Sequence, residues 1–138
     1  MKDIPSHFDG LLFDLDGTLV DSIPDLTTSV NLLRNELDLA AIDEEQVRSY
    51  VGDGVGLLVQ RALPPRLFSQ AQRQRFVEIY TAHLTDRTFI YPGILPFLDT
   101  HHNWPMAVVT NKPQHLAEIL LDRLNLTPYF EHVIGADN

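Results

Sequence analysis

The chain has 138 residues, 44% of them hydrophobic, which is enough for one compact unit with a core and argues against disorder. Ten basic residues against nineteen acidic ones give a net charge of −9, which argues against nucleic acid as the main partner. The lack of cysteine excludes disulfides and cysteine-based zinc sites, and no apolar stretch suggests a signal or a membrane span, so the cytoplasm is the expected location.

The first half of the chain predicts one strand followed by helices. Residues 10–15 predict a short buried strand, because the Leu-Leu-Phe run is too short for a helix and turn residues follow it. A helix is expected to begin near Ser22 and Pro24. Its apolar stripe, at helical spacing, comprises Leu26, Val30, Leu33 and Leu37. Further helices are predicted over residues 43–50, 55–63 and 71–84.

The second half alternates between strands and helices. Short helices are predicted over residues 94–101 and 114–124, and buried strands over residues 106–110 and 132–135. Strand and helix in alternation with short links are typical of a parallel α/β sheet. We therefore predict an α/β fold: a Rossmann-like parallel sheet of about three strands, formed by residues 1–20 and 88–138. An all-helical cap, residues 21–87, is inserted into it.

Two acidic residues, Asp14 and Asp16, follow the first predicted strand. Ligands of open parallel sheets bind beyond the carboxyl ends of the strands, and residues two apart in an extended segment project to the same side. Two carboxylates this close are expected either to differ in proton affinity or to be held by a metal. This pattern fits phosphoryl transfer, with Asp14 as nucleophile, Asp16 as acid and base, and Mg²⁺ holding the phosphate against Asp14.

The residues after this pair predict a tight turn. Gly17 permits the turn and close approach of the backbone, and the Thr18 hydroxyl is expected to hold the turn together. A calcium loop starting at Asp14 is excluded, because its sixth position needs glycine and Leu19 stands there. A hairpin is disfavoured because a helix follows. A strand-end turn whose acids merely face solvent remains an alternative.

The strand over residues 106–110 also ends in small polar residues. Thr110 and Asn111 are candidates to bind phosphoryl oxygens through a hydroxyl and an amide, with an ordinary strand-to-helix cap as the alternative. Lys112 either balances the charge of a phosphate or an anionic substrate tail, or is a solvated lysine before Pro113. Two polar strand ends in one sheet favour a binding site.

The predicted cap contributes one further candidate. Its loop at Gly52 and Asp53 is a possible substrate-facing tip. Arg61 is more simply interpreted as part of a solvated helix face than as a ligand for an acidic substrate. The six histidines show no metal-ligand spacing, and we interpret none of them as a ligand.

Several segments carry a resemblance to a known family. FDLDGTLVDS resembles the first motif of the haloacid dehalogenase-like hydrolases, and VVTNKP resembles their second. The segments YVGDGVGLLVQRAL, TFIYPGI and YFEHVIGADN are similar to the phosphoglycolate phosphatase branch of that superfamily. The likeness runs in the right order over nearly the whole chain, with a helical cap between the first two motifs.

The resemblance implies a function. By it, Asp14 is the nucleophile, Asp16 is the acid and base and binds Mg²⁺ through its backbone carbonyl, and Thr110 and Asn111 bind phosphate. The expected activity is Mg²⁺-dependent hydrolysis of a small phosphomonoester, 2-phosphoglycolate, through an aspartyl-phosphate. The alternatives are a sugar-phosphate phosphatase or phosphomutase on the same scaffold, and a catalytically silent fragment that acts by association.

The chain departs from this family at one point. Family members continue with a third motif that carries a lysine and a fourth that completes the Mg²⁺ shell with acids, but this sequence ends at Asn138 before either. We therefore expect a truncated chain in which the strand before Asp14 lies at a sheet edge with uncovered apolar surface. Such a chain is expected to bind Mg²⁺ poorly, to turn over little substrate and to form homo-oligomers through that edge.

Overall fold

The computed structural model describes residues 9–137. In chain order, its strands are β1 (Leu11–Phe13), β2 (Val20–Asp21), β3 (Phe89–Ile90), β4 (Met106–Pro113) and β5 (His132–Ala136). Its helices are α1 (Ile23–Glu36), α2 (Glu44–Tyr50), α3 (Val55–Ala62), α4 (Gln70–His83), α5 (Ile94–Thr100) and α6 (Gln114–Arg123). The predicted α/β fold is confirmed, and each predicted helix is present.

The main sheet is parallel and has three strands in the order β1-β4-β5. Strand β1 pairs with β4 from Leu11 opposite Met106 to Phe13 opposite Val108, which brings the carboxyl end of β1 next to the middle of β4. Strand β4 was predicted to end at Thr110, but it continues to Pro113, which pairs with Ala136 across an irregular stretch. The Asn-Lys-Pro segment thus remains extended, although its composition favours a break.

The main sheet is only partly covered. The prediction that β1 is buried is wrong: Leu11 and Phe13 are half-buried, but Leu12 is 75% exposed. The reason is that β1 lies at the edge of the sheet, whereas α6 packs against β4 and β5. Within residues 9–137, β1 is thus an edge strand with an uncovered apolar residue, as expected. Val109 of β4 and Ile134 of β5 are also 43% and 56% exposed.

Helices α1 to α4 form an insertion between β2 and β3. The sequence did not predict β2 and β3, which pair antiparallel with Val20 opposite Ile90 where the chain enters and leaves the insertion. Helix α1 packs on α4, and Leu26, Val30 and Leu33 of the predicted stripe are buried. The fourth predicted residue, Leu37, directly follows the helix and is only half-buried. Within residues 9–137, no helix is both long and apolar enough to cross a membrane.

Gly135 in β5 lies against the segment that joins β4 to α6. A Cβ atom at this position would stand 2.6 Å from the Cα of Gln114 and 2.8 Å from the carbonyl oxygen of Lys112. Because both neighbours are backbone atoms, the clash cannot be relieved by rotating a side chain. We expect Gly135→Ala to lower the free energy of unfolding by about 2–3 kcal/mol in urea denaturation.

Gly56→Ala is the matched control for this prediction. Gly56 lies inside α3, and an added Cβ would meet only side-chain atoms of Arg73, with Nε 3.3 Å away. Its stability is expected to stay within about 1 kcal/mol of the parent. Equal unfolding midpoints for the two variants would contradict the close approach at Gly135.

Candidate functional site

A cleft lies between the carboxyl ends of β1 and β4 and the helical insertion. It has about 430 Å³ of empty space and is open to solvent. The sheet side contributes polar residues, namely Asp14, Asp16, Thr110, Asn111 and Lys112. The insertion contributes mainly apolar residues and backbone, including Leu26, Val51, Gly52, Gly54, Val55 and Leu58. The structure therefore brings the two polar strand ends together under the insertion.

Asp14 presents an open carboxylate to this cleft. It directly follows β1, its side chain is exposed, and its Oδ1 accepts a hydrogen bond from the backbone N–H of Leu15 at 2.7 Å. The second oxygen has no hydrogen-bond partner among residues 9–137. One carboxylate oxygen is thus fixed by the backbone, and the other is available to a ligand.

Asp16 is held differently. Its Oδ1 accepts a hydrogen bond from the Ser22 hydroxyl at 2.6 Å and lies 3.2 Å from the Lys112 ammonium nitrogen. Ser22 does stand at the N-terminus of α1, as predicted, but its side chain makes no cap hydrogen bond there. Sequence reasoning treated Ser22 only as a helix start, although it belongs to the same quoted segment as Asp16.

The turn after Asp16 is held by backbone groups. The backbone N–H groups of Thr18, Leu19 and Val20 all donate to the carbonyl oxygen of Leu15. The prediction that the Thr18 hydroxyl holds the turn is wrong, because these backbone bonds already close it and that hydroxyl donates to nothing in the described chain. Gly17 has φ +81°, a left-handed conformation that favours glycine. Gly17 and Thr18 lie beside the cleft and do not line it.

The two predicted polar residues, which lie in the C-terminal half of β4, occupy different environments. Thr110 is buried, and its Oγ1 accepts a hydrogen bond from the backbone N–H of Lys112 at 3.1 Å, so the hydroxyl proton can still be donated. Asn111 is exposed, and its Nδ2 donates to the carbonyl oxygen of Gly52 at 3.0 Å. This hydrogen bond ties the end of β4 to the loop of the insertion.

Lys112 is buried and only 5% exposed, so the alternative of a solvated lysine is wrong. Its Nζ donates to the hydroxyl of Tyr80 at 2.6 Å and lies 4.5 Å from the centre of that ring. Burial acts to lower the pKa of Lys112, but the charge of Asp16 and the contact with Tyr80 outweigh it and raise the pKa. Burial raises the pKa of Tyr80 to about 12, against the opposing charge of Lys112.

Only part of the loop over residues 52–54 of the insertion lines the cleft. Gly52 lines it, whereas Asp53 pairs with Arg61 at 2.8 Å and lines an adjoining cleft with Arg73. Arg61 also donates to the carbonyl oxygen of Tyr50 at 3.0 Å. Its guanidinium is therefore used within the insertion, in agreement with the simpler interpretation that it is not a substrate ligand.

The cleft offers few donors for a divalent metal. No group of three or more His, Asp or Glu side chains suited to a metal occurs in the part of the chain described here. The free oxygen of Asp14 and the backbone carbonyl of Asp16, which accepts no hydrogen bond of the turn, are oxygen donors of the kind Mg²⁺ prefers. The Asp16 carboxylate fits less well, because its Oδ1 faces Lys112. Two such donors fit a Mg²⁺ ion that keeps several waters.

The chain is similar to proteins of one known family. The family model described as haloacid dehalogenase-like hydrolase matches residues 11–138. The chain belongs to the haloacid dehalogenase-like hydrolases. The matched residues include both segments of the sheet that line the cleft, so the resemblance stated from the sequence is confirmed.

Individual relatives carry more specific names than the family model does. The chain is 39% identical over 140 residues to a phosphoglycolate phosphatase of Chromobacterium violaceum, covering 95% of this chain and 63% of that protein. It is 36% identical over 151 residues to a phosphoglycolate phosphatase of Pseudomonas syringae pv. tomato, covering 99% and 56%. The crystal structure of "a predicted phosphoglycolate phosphatase" from Haemophilus somnus superposes with a TM-score of 0.81 at 27% identity, covering 93% and 62%. The chain thus spans somewhat under two thirds of the length of these relatives.

Proposed function

We propose that this chain carries the nucleophile and the acid–base group of a Mg²⁺-dependent phosphatase that hydrolyses a small phosphomonoester, with 2-phosphoglycolate as the preferred candidate. One observation carries the proposal: Asp14 lines the cleft with one carboxylate oxygen that has no partner among residues 9–137, and Asp16 in the same cleft is held by Ser22 and Lys112. The relatives named phosphoglycolate phosphatase support the choice of substrate.

The reaction follows from the different environments of the two acids. The free oxygen of Asp14 attacks phosphorus and forms an aspartyl-phosphate, while the bond from phosphorus to the ester oxygen breaks and Asp16 protonates the departing alcohol. Asp16 then takes a proton from water, which attacks phosphorus and releases phosphate and the Asp14 carboxylate. One acid therefore makes and breaks a covalent bond, and the other moves protons.

The groups around the two acids bind the phosphoryl oxygens. Thr110 has a hydroxyl proton to donate, and the Asn111 amide lies at the mouth of the same cleft. Asp14 and the backbone carbonyl of Asp16 would hold Mg²⁺. Bound there, Mg²⁺ supplies positive charge that offsets the repulsion between a phosphate and a protein of net charge −9.

A panel of phosphoesters tests this proposal. The protein, as its reading frame encodes it, is assayed for phosphate release from 2-phosphoglycolate and from hexose and pentose phosphates, with MgCl₂ and with chelator. We expect 2-phosphoglycolate to give the highest kcat/KM and chelator to reduce the rate at least tenfold. A preference for a sugar phosphate would favour the alternative substrate class. The absence of hydrolysis of every ester would contradict the phosphatase itself.

A further inference from the structure

Lys112 occupies a position that phosphate binding does not explain. Its side chain is only 3% exposed, and its Nζ lies 3.2 Å from Oδ1 of Asp16 and 2.6 Å from the hydroxyl of Tyr80. A lysine that binds a substrate phosphate would keep its ammonium group open to the cleft. Here a carboxylate and a phenol hydroxyl already take two of its three N–H donors.

Tyr80 is a firm anchor for this lysine. It lies on α4 of the insertion, is fully buried, and stacks on Phe76 with ring centres 5.7 Å apart and an interplanar angle of 28°. Its hydroxyl accepts a hydrogen bond from the Lys112 ammonium, whose nitrogen also lies 4.5 Å from the centre of the ring. The insertion therefore determines where the ammonium group lies.

The position of the Lys112 ammonium affects the carboxyl group of Asp16. Both of its contacts, the hydroxyl of Ser22 at 2.6 Å and the ammonium of Lys112 at 3.2 Å, are made to Oδ1. Oδ2 has no partner among residues 9–137, so the two oxygens of this carboxyl group are not equivalent. Proton transfer needs one oxygen within hydrogen-bond reach of the reacting group in a fixed direction.

We propose that Lys112, anchored by Tyr80, is a positioning residue that fixes Oδ1 of Asp16 and leaves Oδ2 as the oxygen that exchanges the proton. The inference rests on the proposed function, because it assigns Asp16 a proton to transfer. It also makes α4 of the insertion part of the machinery for proton transfer, although no residue of α4 lines the cleft that holds Asp14 and Asp16.

Two variants distinguish whether Lys112 positions the Asp16 carboxyl group or binds the phosphate of the substrate. Lys112→Met removes the charge and keeps the length of the side chain, and Tyr80→Phe removes only the anchoring hydroxyl. We expect kcat to fall by about 10- to 100-fold in Lys112→Met and by about 3- to 10-fold in Tyr80→Phe. The KM for the phosphoester and the inhibition constant of inorganic phosphate stay within about threefold of the parent in both. Arg66→Met, which removes an exposed cation of the insertion, is the matched control and keeps the parental kcat.

The opposite pattern overturns the inference. If KM and the phosphate inhibition constant rise while kcat is unchanged, Lys112 is an anion ligand; if kcat changes less than twofold in both variants, it positions nothing.

Crystal structures of the parent and of Tyr80→Phe, which keeps the ring and so the packing on Phe76, give a readout that needs no turnover. A shifted Asp16 carboxylate supports the inference, and an unmoved one overturns it. A parent protein without any phosphatase activity would instead count against the proposed function.

Discussion

Asp14→Asn is expected to lower kcat by about three orders of magnitude or more, because an amide is a far weaker nucleophile toward phosphorus than a carboxylate. The substitution is close to isosteric, and the amide oxygen can still accept the hydrogen bond that the backbone N–H of Leu15 donates to Oδ1. The side chain is exposed, so the loss is not expected to come from unfolding. Steady-state phosphate release gives kcat and KM, and thermal denaturation checks the fold.

A chemical trap makes this prediction specific to covalent catalysis. Acid quenching of the parent protein during turnover should leave a fraction of chains heavier by one phosphoryl group, and peptide mapping should place that group on Asp14. Asp14→Asn should show no such adduct. More than a tenth of parental kcat in this variant, at an unchanged unfolding temperature, would show that another group attacks phosphorus.

Asp25→Ala is expected to have the largest effect on stability. Asp25 in α1 is 1% exposed, and its carboxylate accepts hydrogen bonds from the backbone N–H groups of Arg87 and Thr88 and from the Thr88 hydroxyl, at 2.7 to 2.9 Å. These contacts join the first helix of the insertion to the segment that leads out of it. Alanine would leave the donors of Arg87 and Thr88 without their acceptor, at a cost of about 3–5 kcal/mol.

Urea denaturation measures this loss as a lower midpoint with an unchanged slope. Asp25→Asn keeps one acceptor oxygen and should lose less than the alanine variant. Asp122→Ala, at an exposed aspartate on α6, serves as the control and should stay within about 0.5 kcal/mol of the parent. A loss below about 1 kcal/mol for Asp25→Ala would mean that water replaces the carboxylate at this junction.

Local rules were enough to predict most of the fold. Runs of apolar residues and turn residues placed the strands around Phe13 and Val108, and helical spacing placed α1 through Leu26, Val30 and Leu33. These predictions succeed because strand and helix periodicities depend on neighbours a few positions apart. The pair β2 and β3 was missed, because two-residue strands show no periodicity and form only when distant segments meet.

Some residues of the candidate site were predicted from the sequence, and others were not. Asp14, Asp16, Thr110 and Asn111 were selected because acidic and small polar residues at the carboxyl ends of parallel strands meet at one edge of the sheet, and all four do line the cleft. Tyr80 was predicted only as part of the helix over residues 71–84. Its hydroxyl contacts a residue 32 positions away, which no local pattern reveals.

The sequence by itself therefore determined the order of the elements, the acidic pair after β1 and the polar end of β4, because each of these is set by residues adjacent in the chain. Only the tertiary structure decided that Lys112 turns inward to Asp16 and Tyr80, that the Ser22 side chain binds Asp16 and makes no cap hydrogen bond, and that Leu12 is exposed. These outcomes depend on which surfaces of distant segments meet and on the cost of burying a charge without a partner.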